Sequence, residues 1–419
     1  MELLKKILSS SLWLLMGNSI GRLAMFLANI FAARMLSQEA FGQFAMIRNT
    51  ITMIESIFSS SMGSVTTKTI AENNTLKNKG NVKSIILSFF LINFFISIVL
   101  TFVLVYNINL IIEKYFLNNQ DLKTPLILGS ILLISNIMSS FVQNSLIGFE
   151  QFKKIALNSI VISILCIPII YLLIYNFDLI GAISSVIFYF TLDFIFKSYF
   201  LLKYLNDFSL NFKIKDSIIK VVHLLKASFP LIISLSINSV GFWYARVLLI
   251  ESDNNFLNIA IFDAAYQWLM IIMIITHATS SSILPKLSNA IGNKDKKTFT
   301  STFLIGLLIN ISIALIIAII FTILSKYIMS IYGKNYISGS YILSILAFSS
   351  IFFTITITYN KMLISINKQW FITLSVIVST VIMYLFFYLN EFNIENLAFG
   401  FLIYHLSNSM LLFLFERIK

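Results

Sequence analysis

The sequence is poor in cysteine, in histidine and in charge. Cys166 is the single cysteine among 419 residues, so neither a disulfide framework nor a cysteine-rich metal cluster is expected. Charged residues make up 11% of the chain, well below the roughly 25% of ordinary soluble domains. The HExxH, Walker and GxSxG signatures of hydrolases and nucleotide-binding enzymes are missing too. We therefore expect no cofactor, no metal and no enzymatic activity.

Apolar residues dominate what remains, with 58% hydrophobic residues and a mean hydropathy of +0.89. A helix needs about 20 mostly apolar residues to cross a bilayer, and twelve such stretches lie between the clusters of charge. The sequence thus predicts an all-α integral membrane protein of about twelve transmembrane helices. The predicted spans cover residues 10–36, 41–62, 84–106, 125–147, 155–175, 179–202, 227–249, 257–279, 300–323, 339–362, 370–389 and 397–415.

The distribution of lysine predicts the orientation of these spans. Cytoplasmic loops collect Lys and Arg, and with the N terminus inside, the outer loops hold only Lys114, Lys123, Lys326 and Lys334. This distribution predicts a multi-pass membrane protein with both termini in the cytoplasm. The net charge of +12 is explained by this bias, so we expect no nucleic-acid partner. We expect the N-terminal segment to be retained, since no small-residue cleavage site follows Lys5 and Lys6.

The chain divides near its middle into two similar halves. A Lys-rich cytoplasmic linker, residues 203–226, separates an N-terminal six-helix lobe (1–202) from a C-terminal one (227–419). Several short sequences recur at a nearly constant offset of about half the chain length, which favours an internal repeat of six helices. They include Ala33–Leu36 with Ala245–Leu248, and Leu146-Ile147 with Leu363-Ile364.

Eight ionisable side chains fall inside the predicted spans, where a charge is costly unless it faces a cavity or a partner. Arginine is used selectively there: the chain has five arginines, and four of them lie within spans. A guanidinium keeps its charge when desolvated and binds phosphate through two parallel hydrogen bonds. The eight residues are Arg22, Arg34, Arg48, Glu55, Asp193, Lys197, Arg246 and Asp263.

Helical spacing assembles polar stripes in the first half. Asn18, Arg22 and Asn29 follow each other at i, i+4 and i+11, and Arg48 and Glu55 lie two turns apart on the next helix. We expect Asn18, Arg22, Asn29 and Arg48 to bind an anionic substrate. Glu55 is a candidate for ion coupling, although a structural ion pair explains Arg48 and Glu55 as well.

The second half offers a smaller set of candidates. Asn238 and Arg246 on the seventh span are expected to contribute to substrate binding, while Asp263 and His405 are candidates for ion coupling. A hydrogen-bonded buried histidine is an alternative for His405. Snorkelling to the outer interface would explain Arg246 and Arg34 equally well.

Asp193 and Lys197 are spaced i, i+4 on the sixth span. This spacing favours an intrahelical ion pair in which the lysine snorkels to the interface, rather than a substrate site.

Two segments carry a family resemblance. Asn18-Ser19-Ile20-Gly21-Arg22, followed by Ala32–Leu36 and by Glu39-Ala40-Phe41-Gly42-Gln43-Phe44, resembles the start of bacterial polysaccharide repeat-unit flippases of the O-antigen (Wzx) type. Gly148–Lys154 is similar to a later segment of these proteins. They belong to the multidrug/oligosaccharidyl-lipid/polysaccharide exporter superfamily.

The resemblance implies a two-lobed transporter that moves undecaprenyl-diphosphate-linked O-antigen or capsule units to the periplasmic leaflet by alternating access. Arg22 and Arg48 match the cationic lumen of the family, and Arg246 matches it less closely. The implied partners are the lipid-linked oligosaccharide, membrane lipids, and polysaccharide polymerase and chain-length machinery. Two alternatives remain open: a membrane-embedded polysaccharide polymerase or ligase, and a cation-coupled drug exporter of the same superfamily.

Overall fold

A computed structural model describes residues 20–75, 79–205, 214–366 and 368–417. Within these ranges the chain is helical and contains no β-strand. Helices suit a chain this apolar, because a helix satisfies its own backbone hydrogen bonds where no water is present. The all-α prediction is confirmed.

At two places along the chain, a short helix and a 3-10 helix lie between two long helices. In order, the helices are α1 (20–35), α2 (Gln38–Thr75), α3 (Lys79–Tyr106), α4 (Ile108–Tyr115), the 3-10 helix η1 (Gln120–Leu122), α5 (Lys123–Gly148), α6 (Phe152–Leu205), α7 (Ile214–Asp253), α8 (Leu257–Gly292), α9 (Lys296–Ile323), α10 (Ser325–Ser330), the 3-10 helix η2 (Lys334–Gly339), α11 (Ser340–Ser365), α12 (Gln369–Leu389) and α13 (Ile394–Arg417).

Helix α6 contains two of the predicted spans, joined by a sharp turn. Asp178 has a left-handed backbone (φ 46°) that interrupts the helix. Gly181 follows the turn, and a Cβ on it would stand 2.0 Å from the carbonyl oxygen of Leu173. In a straight helix residues eight apart are about 12 Å apart along the axis, so this contact shows that the chain reverses. The two halves form a helical hairpin.

Eight helices in the described ranges are long and apolar enough to cross a membrane, with the α6 hairpin counted as one. The described part of α8 supplies a shorter apolar segment, Leu257–Met273. The twelve-span count and the orientation of the termini stay predictions. The predicted linker at 203–226 includes residues 206–213, which lie outside the described residues, while helix α7 already begins at Ile214.

The helix boundaries repeat along the chain. Helices α3 and α9 have the same offset in sequence at their first and last residues. Helices α5 and α11 show this same offset at both ends. The starts of α6 and α12 are separated by that same distance in sequence. Each half places a short helix and a 3-10 helix between the same two long helices. This regularity supports the internal repeat inferred from the sequence.

The contacts between residues divide the chain into two compact units. The N-terminal unit comprises residues 1–36 and 46–232, and the C-terminal unit comprises 37–45 and 233–419. In the N-terminal unit, α5 packs against both α3 and α6, around a core that includes Phe89, Leu146 and Ile155. In the C-terminal unit, α11 packs against α8, α9 and α13. Ala314, Ala318 and Ala347 allow close approach of α9 and α11.

The first turns of α2 belong to the C-terminal unit. Their contacts give a packing role to three residues of the segment that resembles the polysaccharide flippases: Glu39, Phe41 and Gly42. The Glu39 carboxylate accepts the backbone N–H of Phe256 at 3.2 Å. Gly42 lies so close to Phe256 that a Cβ would stand 2.0 Å from its carbonyl oxygen. The ring of Phe41 meets Tyr336 edge to face. These residues fix the start of α2 on the loop between α7 and α8.

Candidate functional site

The polar stripe of α1 and α2 contains two arginines in different surroundings. Arg22 is exposed, and within the described residues no hydrogen bond or ion pair holds its guanidinium. Arg48 is half-buried, and its Nη1 donates to Oδ1 of Asn29. The Asn29 amide also donates from Nδ2 to the Met25 carbonyl at 2.7 Å, which fixes its oxygen toward Arg48. Asn18 lies outside the described residues.

Glu55 lies two turns beyond Arg48 on α2 and contacts α5. Asn136 donates from Nδ2 to Oε2 of Glu55, whose side chain is half-buried. The carboxylate is thus tied to a neighbouring helix by a neutral amide.

A second polar group of the N-terminal unit lies deeper, between α5 and α6. Lys197 Nζ is 2.5 Å from Oδ2 of Asp193, and the two side chains are 4% and 6% exposed. The intrahelical pair predicted from the i, i+4 spacing is confirmed. Snorkelling is wrong for this lysine, because its ammonium is turned inward and donates to Oε1 of Gln143 on α5 at 2.7 Å.

Arg246 is enclosed within the C-terminal unit. Its residue is 4% exposed, and its guanidinium carbon lies 4.6 to 5.4 Å from the ring centroids of Phe262, Tyr266 and Phe401. Nη1 donates to the Phe242 carbonyl at 2.9 Å. Aromatic faces attract a desolvated cation, so this cage holds Arg246 inside the protein. The snorkelling explanation of Arg246 is excluded by this burial.

Asp263 provides the negative charge nearest to Arg246. Its Oδ1 is 3.8 Å from Nε of Arg246, and the carboxylate is fully buried. Gln267, one turn further along α8, donates to Oδ2 at 3.4 Å. Asn238, the other candidate on α7, is half-buried.

His405 lies on α13 in an aromatic environment. Its ring centroid is 5.2 to 5.8 Å from those of Phe242, Phe353 and Tyr404, in edge-to-face orientation. The residue is buried, and within the described residues neither imidazole nitrogen has a hydrogen-bond partner. Within the described residues, His405 is therefore not the hydrogen-bonded buried histidine that the sequence offered as an alternative.

Within the described residues the candidate side chains lie in four groups: Arg48 with Asn29, Glu55 with Asn136, Asp193 with Lys197, and Arg246 with Asp263. Helical spacing did not predict the partners on neighbouring helices. Asn136, Gln143 and Asn158 are amides in apolar helices, and a search for buried amides would have found them. Helical spacing shows only which residues share a face of one helix.

Comparisons with known proteins place the fold. A structure described as an inward-facing multidrug resistance MATE family transporter of the MOP superfamily aligns over 97% of both chains with a TM-score of 0.80 at 15% identity. A MOP superfamily transporter from Pyrococcus furiosus, whose description reports reversed polarity of the binding pocket, aligns over 99% of this chain and 95% of its own, with a TM-score of 0.74 at 15% identity. No curated protein matches the chain.

The chain therefore has the fold of these MOP superfamily transporters. A family model described as MatE matches residues 230–389. The model of the family described as polysaccharide biosynthesis protein matches residues 7–291, more than half of the sequence. The chain belongs to this polysaccharide biosynthesis family.

Proposed function

We propose that this protein is a flippase that moves undecaprenyl-diphosphate-linked O-antigen or capsular repeat units across the bacterial inner membrane by alternating access. The observation that carries the proposal is the match of residues 7–291 to the polysaccharide biosynthesis family. That range contains Arg22 and Arg48, the two arginines of the polar stripe. The protein relocates its cargo and changes none of its bonds.

The two arginines of the polar stripe support a phosphate-bearing cargo. Arg22 is exposed, with no partner in the described part of the chain, so its donors are available to a ligand. Arg48 donates to the side-chain oxygen of Asn29, and this contact helps to position the guanidinium. Two forked guanidinium groups suit a diphosphate, since each presents parallel N–H donors to a pair of oxygens. Arg246 is enclosed by its own unit, and we assign it a positioning role.

The test is complementation of a strain that lacks its own flippase, scored by surface polysaccharide. Arg22→Ala and Arg48→Ala should each reduce the polysaccharide strongly at normal protein levels, and Arg→Lys at these positions should restore only part of it. Arg34→Ala is the matched control, because Arg34 is an exposed arginine of the same helix that lies outside the stripe. Normal polysaccharide with both alanine variants would contradict the assignment of the stripe.

A drug exporter is the second candidate, since a structural neighbour is described as a multidrug resistance transporter. The same strain separates the two functions. Restored surface polysaccharide with unchanged ethidium accumulation supports the flippase. Lowered ethidium accumulation without restored polysaccharide would favour the exporter. A polymerase or ligase would instead extend or transfer the sugar chain in vitro, whereas the flippase leaves it unchanged.

Net transport in one direction needs a driving force, because a shift between conformations supplies none by itself. Glu55, Asp263 and His405 are the proposed coupling residues. His405 is the sharpest of them, because its buried ring nitrogens have no hydrogen-bond partner in the described ranges. If His405 carries the proton, His405→Phe should remove the effect of a protonophore on transport. Equal sensitivity in the variant and the wild type would exclude it.

A further inference from the structure

The buried pair of Asp193 and Lys197 is surrounded by groups of matching polarity. Besides Lys197, the Asp193 carboxylate accepts hydrogen bonds from Nδ2 of Asn158 at 2.7 Å and from the hydroxyl of Ser139. The ammonium donates to Oε1 of Gln143 at 2.7 Å and to Oδ2 of Asp193 at 2.5 Å. Donors thus face the carboxylate and oxygens face the ammonium, as an ionised pair requires.

The polar groups around the pair come from two helices: Gln143 and Asp193 contact the ammonium, while Ser139 and Asn158 contact the carboxylate. Ser139 and Gln143 lie one turn apart on α5, while Asn158 and Asp193 lie on the two halves of the α6 hairpin. Carboxylate, amide and hydroxyl oxygens are the ligands that hard cations prefer. Oδ1 of Asn158 adds a further oxygen: it is buried and has no hydrogen-bond partner within the described residues. This arrangement has the composition of a cation site, with Nζ of Lys197 in the position of the cation.

The corresponding helix of the second half has no such pair. Helix α13 follows α12 in the second half of the repeat, as the second half of the α6 hairpin follows the first. Between Asn396 and Phe415, α13 contains no Asp, Glu, Lys or Arg. A buried ion pair is also weak evidence for stability, since burying two charges offsets much of their attraction. General stabilisation is therefore a weak explanation of the pair.

We propose that Lys197 is a tethered cation, which permanently fills a monovalent-cation site made by Asp193, Asn158, Ser139 and Gln143. Its consequence is that Asp193 is neutralised from within the chain and exchanges no external ion during transport. The site belongs wholly to the N-terminal unit. It does not depend on the identity of the cargo, so its test stands apart from that of the proposed function.

Removal of the tether tests the proposal. Lys197→Met keeps the length of the side chain and deletes the ammonium, leaving a carboxylate and oxygens for an external ion. The detergent-purified variant should unfold at a lower temperature than the wild type in choline chloride. Replacing choline with sodium at constant ionic strength should restore roughly half or more of the lost unfolding temperature. This recovery should saturate as the sodium concentration rises, as binding to the folded state requires. The wild type should not respond to sodium.

Two control variants define what the sodium response means. Lys197→Arg keeps a tethered cation and should ignore sodium. The double variant Asp193→Asn with Lys197→Met lacks the carboxylate, and should be more stable in choline than Lys197→Met alone and also ignore sodium.

Three results would overturn the proposal. The first is a folded Lys197→Met that unfolds at the same temperature in both salts. The second is a Lys197→Met that unfolds on extraction in both salts while the double variant survives, because the site would then be closed to any external ion. The third, which needs no lysine variant, is saturable binding of radioactive sodium to the wild type that Asp193→Asn abolishes.

Discussion

The Arg48 guanidinium on α2 donates a hydrogen bond to the side-chain oxygen of Asn29 on α1. Asn29 is buried, and its amide nitrogen is held by the Met25 carbonyl at 2.7 Å. The asparagine thus presents a fixed acceptor that helps to position the cation. Arg246, by contrast, is enclosed by aromatic rings and lies 3.8 Å from the Asp263 carboxylate.

The charge of Arg48 can be tested without altering the arginine. Asn29→Asp keeps an oxygen acceptor at this position but adds a negative charge, which would cancel the field that attracts a diphosphate. We expect the affinity for a diphosphate to fall about tenfold or more, because a hydrogen bond to a charged group contributes about 1.5–3 kcal/mol, and surface polysaccharide to fall with it. Asn29→Leu removes the acceptor and keeps the charge, so it should retain more transport and lose more thermal stability. Transport by Asn29→Asp at the wild-type level would show that the charge of Arg48 is not used.

The start of α2 offers a test of close packing. A Cβ at residue 42 would stand 2.0 Å from the backbone oxygen of Phe256, which cannot move aside as a flexible side chain would. Gly42→Ala should therefore lower the free energy of unfolding by about 1–3 kcal/mol, the usual cost of overpacking. Gly241→Ala is the matched control, since its Cβ would meet side chains and no backbone: the Thr380 methyl carbon at 3.2 Å and the Tyr384 ring at 3.9 Å. Thermal unfolding in detergent compares them, and equal losses would refute the steric argument.

Hydropathy predicted where the long helices lie better than it predicted where they end. The predicted break between 175 and 179 coincides with the turn at Asp178. Helix α2 begins before its predicted span and continues well past the end of it, to Thr75, because Ser, Thr, Lys and Asn continue a helix beyond the apolar region. Helices α4 and α10 were not predicted at all, since neither contains an apolar run long enough to cross a bilayer.

The sequence predicted candidate residues, and the structure supplied their partners. The i, i+4 spacing of Asp193 and Lys197 was sufficient to predict their pairing. It could not show which way the pair faces, because the direction depends on how α6 is rotated against α5. For the same reason the sequence places Arg246 among the candidate substrate-binding residues but cannot show its aromatic enclosure. Helical periodicity is a property of one helix, whereas burial depends on its neighbours.

The N terminus of α9 provides a test outside the predicted spans. Asp295 accepts the backbone N–H of Thr298 at 3.0 Å and its hydroxyl at 2.5 Å, and these hydrogen bonds lower the pKa of the Asp295 carboxyl. A lowered pKa means that the capping contribution is present above the ordinary pKa of an aspartate and is lost as the pH falls through the folded-state value. Asp295→Ala should therefore accelerate amide hydrogen exchange at Thr298 at neutral pH. Thr298→Val, which keeps the backbone bond, should accelerate it less; no difference would argue against the cap.

The enclosed pair of the C-terminal unit can be measured by a double-mutant cycle. Arg246→Met leaves Asp263 buried without its cation, and Asp263→Asn leaves the guanidinium without its carboxylate. Each single change should cost about 3–5 kcal/mol, the usual effect of breaking a buried pair. The double variant should cost less than the sum, because it leaves neither charge uncompensated. Arg246→Lys is the informative control: it keeps the positive charge but loses the planar group that the rings of Tyr266 and Phe401 contact. If chemical or thermal unfolding shows the two single changes to be additive, Arg246 and Asp263 act independently, and the aromatic cage and the Phe242 carbonyl hold the arginine.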